Sequence, residues 1–171
     1  MNQKNKYKIQ KNWFYIISFC LFLDQISKIL IQINLEYLSS ISIISDYLKF
    51  SYITNPGIAL GIKPFDNSIL LLLVSIIAIF FIFKILFTSS KESLLTQVGL
   101  CFMIGGALGN VIDRFFTAFN IMDYKGVIDF IDIGINDYRF YIFNFADSFI
   151  TIGIILYLFS FMKIKFLNGR K

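Results

Sequence analysis

Four long apolar runs divide the chain, and polar residues break into them at only a few places. The runs are Trp13–Ile33, Ile69–Phe87, Leu94–Ile112 and Ile142–Phe161. Each is about 19–22 residues long, enough for a helix to cross a hydrocarbon layer of roughly 30 Å. The pattern predicts four membrane spans in a single domain. The first run is too long, and lacks the small-residue cleavage site, to be a removed signal peptide, so it reads as a retained span. Between the runs, Tyr47–Ile53 is β-rich and partly alternating, which predicts a strand. Asn55-Pro56-Gly57 reads as a turn, with proline presetting φ and glycine accepting positive φ. Residues 34–68 are therefore expected to hold a small β-region. Residues 115–141 form a second loop, with a short amphipathic piece from Phe115 to Met122 and then the apolar-acidic Val127-Ile128-Asp129-Phe130-Ile131. The expected fold is a mainly α membrane protein: a four-transmembrane-helix bundle with a small extracytoplasmic β-domain and a short amphipathic extracytoplasmic segment.

The composition agrees, with 57% of 171 residues hydrophobic, more than a soluble domain carries. The net charge of +5 would suit a nucleic-acid binder, but its placement points to a membrane. Lys4, Lys6, Lys8 and Lys11 precede the first run, Lys84 and Lys91 flank the 88–93 link, and Lys163, Lys165, Arg170 and Lys171 follow the fourth run. In 34–68, Glu36, Asp46 and Asp66 outweigh Lys49 and Lys63. In 115–141, Asp123, Asp129, Asp132 and Asp137 outweigh Lys125 and Arg139. The positive-inside rule puts both termini and the link in the cytoplasm and the two acidic loops outside. Cys20 and Cys101 both fall inside runs, so no disulfide framework is implied for the loops. The chain has no histidine, which excludes histidine-based zinc sites and Ser-His or Cys-His nucleophile pairs. No metal or organic cofactor is indicated.

Polar residues at membrane depth are costly and are rarely left without a partner or a task. Asp24 and Lys28 are four apart on the first span and share a face, which reads as a structural ion pair. Ser27 and Lys28 point about 100° apart on a helix, which argues against a Ser-Lys dyad. In the third span Gly105 and Gly109 make a small-xxx-small face for close helix packing. Asn110, Asp113 and Arg114 follow at its outer end, where they could cap and snorkel or line a groove. In the fourth, Asn144, Asp147, Ser148 and Thr151 make a polar stripe that must face the bundle interior. Asp129 reaches the depth of Asp147 only if its apolar-flanked segment dips onto the membrane. On these grounds the two acids fit a catalytic pair, an ion or proton pathway, or purely structural contacts.

The segments, in this order, resemble the lipoprotein signal peptidase family (signal peptidase II), bacterial membrane aspartyl proteases that mature prolipoproteins. Asp24-Gln25-Ile26-Ser27-Lys28 resembles its first-span motif. Asn55-Pro56-Gly57-Ile58-Ala59-Leu60-Gly61 is similar to its Asn-x-Gly-Ala-Ala-Phe-Gly turn. Gly105 to Arg114 resembles its glycine-rich motif. Val127-Ile128-Asp129-Phe130 and Phe143-Asn144-Phe145-Ala146-Asp147-Ser148 resemble the two that carry its acids. Ile58 and Leu60 depart from the pattern, where the family has a small residue and an aromatic, and bear on substrate or inhibitor fit. The resemblance implies Asp129 and Asp147 as the catalytic pair, with Asn55, Gly57, Asn110, Arg114 and Asn144 lining the site.

It also implies diacylglyceryl-prolipoprotein substrates, contact with membrane lipids, sensitivity to a globomycin-type inhibitor, and a place in the bacterial cytoplasmic (inner) membrane with the site near the outer face. A monomer is expected. The rival from another class is a small transporter or channel that relays ions through Asp24, Arg114 and Asp147. Against it stand the absence of paired broken helices or a repeat between halves, and the clustering of acids at one surface. A third reading is an assembly factor that docks partners on its outer loops.

Overall fold

The computed structural model describes residues 3–57, 67–89 and 93–168, with side chains from Asn12 to Met162 within that set. Ile58 and Leu60, and most of the flanking basic residues, lie outside the described side chains. Among the described residues, four helices are long and apolar enough to cross a membrane: α1 (Gln3–Asn34), α2 (Ser68–Thr88), α3 (Leu94–Ala118) and α4 (Phe145–Asn168). Their outer faces expose Phe14, Phe19, Phe22, Ile77, Phe80, Phe81, Ile155 and Phe159, the surface expected of helices solvated by lipid. Side-chain caps set the helix starts. Asn67 accepts from the Ile69 and Leu70 N–H groups, and Ser93 from that of Thr96.

α3 is the hub of the bundle, packed on α1, α2 and α4. In lipid no hydrophobic drive pulls apolar helices together, so close backbone approach through small residues takes over. A Cβ on Gly105 would lie 2.6 Å from Cys20 Cβ of α1. One on Gly106 would overlap the Ala146 carbonyl of α4. Lower down, a Cβ on Gly153 would meet the Gly99 carbonyl at 2.5 Å. At the far end Trp13, Leu86, Leu100, Cys101 and Ile104 form a buried core, and Trp13 Nε1 donates to Gln97 Oε1 at 2.8 Å.

At the other end lies an antiparallel sheet in the order β1 (Ser40–Ile44), β2 (Leu48–Asn55), β3 (Val127–Ile135) and β4 (Tyr138–Arg139). The expected strand at 47–53 is β2. The second loop also enters the sheet, because Val127–Ile131 pairs with β2, with Asp129 opposite Ile53. Ile128 and Phe130 face a core with Ile31 of α1, while Val127 and Asp129 are buried on the opposite face. Burial on both faces explains an apolar run with one acid in place of simple alternation. One local expectation needs correction. Phe115–Met122 is no separate amphipathic segment, since α3 continues to Ala118 and a 3-10 turn follows at Ile121–Asp123. At the expected turn the Asn55 side chain accepts the Gly57 N–H at 3.0 Å.

Gly153→Val should overpack the α3–α4 crossing, at a cost of about 1–3 kcal/mol. The melting temperature in detergent is expected to fall, and an unchanged value would show that the crossing can spread.

Candidate active site

The two acids meet because a short backbone bridge joins their segments. The Phe143 carbonyl accepts the N–H groups of Phe130 (3.1 Å) and Ile131 (2.7 Å), and the Phe143 N–H returns to the Ile131 carbonyl at 3.1 Å. Asp129 lies two residues before that bridge on β3, and Asp147 four residues after it. α4 starts at Phe145, three residues later than the apolar run. That leaves Asn144 as its N-cap and puts Asp147 in its first turn. The cap is reciprocal: Asn144 Oδ1 accepts the Asp147 N–H at 2.9 Å, and Asp147 Oδ2 accepts the Asn144 N–H at 3.3 Å. This is a capping box with aspartate in the third position.

Two asparagines connect the acids. Asn144 Nδ2 donates to Asp129 Oδ1 at 2.7 Å, to Asn110 Oδ1 at 3.2 Å and to the Ile128 carbonyl at 3.1 Å. Asn110 Nδ2 donates to Asp147 Oδ1 at 2.9 Å. Asp147 thus accepts N–H bonds on both oxygens, the pattern of an ionised carboxylate. Asp129 is 1% exposed, and its Oδ2 is buried with no hydrogen-bond partner. Burial, then the charge of Asp147, push the Asp129 carboxyl up to about 7, against the opposing pull of Lys28, Asn55 and Asn144.

The acids stand at the head of a cleft of about 770 Å³. Its polar wall is Asn55, Asn110, Arg114, Asp129, Tyr141 and Asp147. Ser75 and Ala78 of α2 and Ile150, Thr151 and Ile154 of α4 carry it along the helices. Asn55 Nδ2 donates to Tyr141 Oη at 3.1 Å. Arg114 Nη2 donates to the Gly57 carbonyl at 3.5 Å, while its buried Nε has no partner. Of the site residues expected from the sequence, Asn55, Asn110, Arg114, Asp129 and Asp147 line this cleft, Asn144 and Gly57 bond to residues that line it, and Asp24 and Lys28 lie behind it.

Those two form an ion pair of 2.8 Å, but not an isolated one. Asp113 joins Lys28 at 2.8 Å as a second acid. Sequence reasoning did not single out Asp113 as a partner of Lys28. The signal was its position four residues after Gly109, on the helix face turned to α1. Tyr141 was also missed, although it stands between the two acids in the chain, just ahead of α4.

A helix bundle with membrane-spanning dimensions and two linked carboxylates at the head of an apolar cleft is a multi-pass membrane protein with a paired-acid site at one end. A sequence model described as signal peptidase (SPase) II matches residues 16–163. A lipoprotein signal peptidase of Wigglesworthia glossinidia brevipalpis is 37% identical, covering 81% of this chain and 86% of the relative. One of Clostridium tetani is 32% identical over 91% of this chain and 96% of its own length. Two solved structures of a bacterial membrane enzyme, at 2.3 Å and 1.9 Å, superpose with TM-scores of 0.74 and 0.72. They share 32% and 31% identity, each covers 90% of this chain, and the matches span 88% and 94% of those chains. The chain belongs to the signal peptidase II family, and it is a peptidase of the bacterial membrane.

Asn144→Ser keeps an oxygen for the helix cap but deletes the NH₂ that reaches Asp129. The helix is expected to persist by circular dichroism while peptidase turnover falls by about 1.5–3 kcal/mol of transition-state stabilisation, the range for a hydrogen bond to a charged group.

Proposed function

We propose that this chain is an aspartyl endopeptidase that cleaves diacylglyceryl-modified prolipoproteins just before the lipidated cysteine. Signal-peptide removal from prolipoproteins is the activity of its family. The observation that carries the finer reading is the asymmetric acid pair: Asp147 accepts on both oxygens, while Asp129 keeps one buried oxygen unpartnered. Two anions this close to lipid repel, so the pair shares one proton. Its place is Asp129 Oδ2.

In the proposed reaction Asp147 takes a proton from the attacking water while the water oxygen bonds to the scissile carbonyl carbon. Asp129 Oδ2–H gives its proton to the carbonyl oxygen, forming a neutral tetrahedral diol. As the C–N bond breaks, Asp147 protonates the leaving nitrogen and a diol hydroxyl returns its proton to Asp129. The partnerless Arg114 Nε supplies a spare donor for a substrate carbonyl or a lipid head-group oxygen. Gly57 and Asn55 hold the turn across from it.

The apolar flanks of the cleft suit a signal helix lying beside α2 and α4, with its acyl chains still in lipid. The basic residues argue that both termini are cytoplasmic, which puts the sheet and the acids at the outer face. A globomycin-type cyclic peptide would occupy the same cleft, and the enzyme would work as a monomer.

The decisive assay uses purified protein in detergent with a diacylglyceryl-modified precursor and its unmodified control, read by gel shift. Wild type should cut only the modified precursor, and Asp129→Asn and Asp147→Asn should each abolish the cut. Survival of cleavage in both variants would remove these acids from the mechanism. The pH profile of kcat/KM tests the proton assignment. The working form needs Asp129 protonated, so activity should decline as pH rises through about 7; a profile flat from about pH 6 to 9 would contradict it. Arg114→Ala should fold and insert normally yet turn over more slowly, and unchanged kinetics would exclude it from substrate contact.

A further inference from the structure

Behind the cleft, three ionisable groups are almost wholly enclosed: Asp24 and Asp113 at 0% exposure and Lys28 at 1%. Mutual neutralisation accounts for one acid and leaves the second unexplained. The hydrogen bonds account for both. Lys28 Nζ has three donors, and three acceptors lie around it: Asp24 Oδ2 at 2.8 Å, Asp113 Oδ2 at 2.8 Å and Asn110 Oδ1 at 3.0 Å. Each of those acceptors also holds a different part of the acid pair.

Asp24 Oδ1 accepts the Ala146 N–H at 2.9 Å, on the residue before Asp147. Asp113 Oδ2 accepts the Ile128 N–H at 3.1 Å, on the residue before Asp129. Asn110 Oδ1 faces the ammonium, which can only donate, so its NH₂ is turned to Asp147. Gln25 Nε2 braces the set, donating to Asp24 Oδ2 at 3.2 Å, to the Gly109 carbonyl at 3.1 Å and to Asp113 Oδ1 at 3.4 Å. Gly109 is open for the same reason, because a Cβ there would overlap the Asp24 carboxylate.

We propose that Lys28 is a positioning residue for the proteolytic reaction, one ammonium that sets the backbone ahead of Asp129, the backbone ahead of Asp147, and the amide orientation of Asn110. The inference rests on the aspartyl reading above. It makes the Asp24–Lys28–Asp113 cluster more than a neutralised pair, since each acid uses an oxygen on the segment that carries a reacting carboxylate. The charged and titratable groups around it are Asp24 on α1, Asp113 and Arg114 on α3, Tyr124 ahead of β3, Asp129 on β3 and Asp147 on α4. Lys28 lowers the proton affinity of Asp129 from behind, so its removal moves the alkaline limb of the rate profile upward.

The test compares wild type, Lys28→Met and Asp24→Asn in detergent, with Asp129→Asn and Asp147→Asn as controls. Thermal unfolding and monodispersity establish the folded fraction, and kcat and KM are measured on the lipid-modified precursor. Asp24→Asn turns one of the two separately engaged oxygens into an NH₂ donor, so either Lys28 or the Ala146 N–H loses its acceptor while the cation stays in place. For the folded fraction of either variant, kcat is expected to fall roughly 100-fold, as for a reacting group displaced by about 1 Å, with KM nearly unchanged. The alkaline limb should also rise in Lys28→Met. Unchanged kcat and limb in a folded variant, with only the melting temperature lowered, would overturn the inference and leave the cluster as glue for the bundle. If Lys28→Met does not fold, Asp24→Asn decides on the same criteria, and failure of both to fold counts as the glue result. Cleavage surviving in the two control variants would sink the aspartyl reading itself, a result separate from either outcome for Lys28.

Discussion

The interior of this bundle depends on a single ammonium group held among oxygen atoms. A lysine at membrane depth is expensive when alone, and so is a carboxylate. Here Lys28 is surrounded by Asp24, Asp113 and Asn110, with all three of its donors used. Removing one member of such a buried set leaves the others uncompensated, which is far more damaging than never having placed them. The arrangement therefore fixes α1 against α3 without freedom to slide. Through the Ala146 and Ile128 N–H groups the same constraint extends to α4 and β3.

Close packing makes that charge cluster feasible. Glycines along α3 let α1 and α4 come near enough for side chains of one helix to bond the backbone of another. In lipid such polar contacts cannot be replaced by water, so geometry that satisfies them is strongly selected over geometry that does not. The sheet adds the second half of the site. Its central strand β3 is covered on one face by Ile31 and its neighbours, and the other face presents Asp129 to the cleft. Phe143 then ties this strand to the start of α4, so that a loop acid and a helix acid share one small volume.

The two acids have unequal surroundings, and the inequality comes from the asparagines. Asn144 cannot give its oxygen to Asp129, because that oxygen caps α4. Asn110 cannot give its oxygen to Asp147, because Lys28 holds it. Both therefore present NH₂ groups to carboxylate oxygens, which leaves a single oxygen of the pair, Asp129 Oδ2, without a partner. In the proposed mechanism this is where the proton sits and where a substrate carbonyl would be engaged.

Much of this was legible in the chain. Hydrophobic run length and lysine placement determine the four spans, because crossing a bilayer requires uninterrupted apolar length whatever the neighbours are. The rarity of charge in those spans marks Asp24, Lys28, Asp113, Arg114 and Asp147 as meaningful, and Tyr47–Ile53 announces a strand by local composition alone. What the sequence could not determine is everything that needs a distant partner. Val127–Ile131 becomes a strand only by pairing with β2, far earlier in the chain. Gly57 closes its turn through the Asn55 side chain. Asp113 gains its meaning only when α1 lies against α3, and Tyr141 only when the cleft forms around it. Periodicity and composition record local preferences. Which N–H reaches which oxygen is set by contacts between residues far apart in the chain, and only the packed structure brings them together.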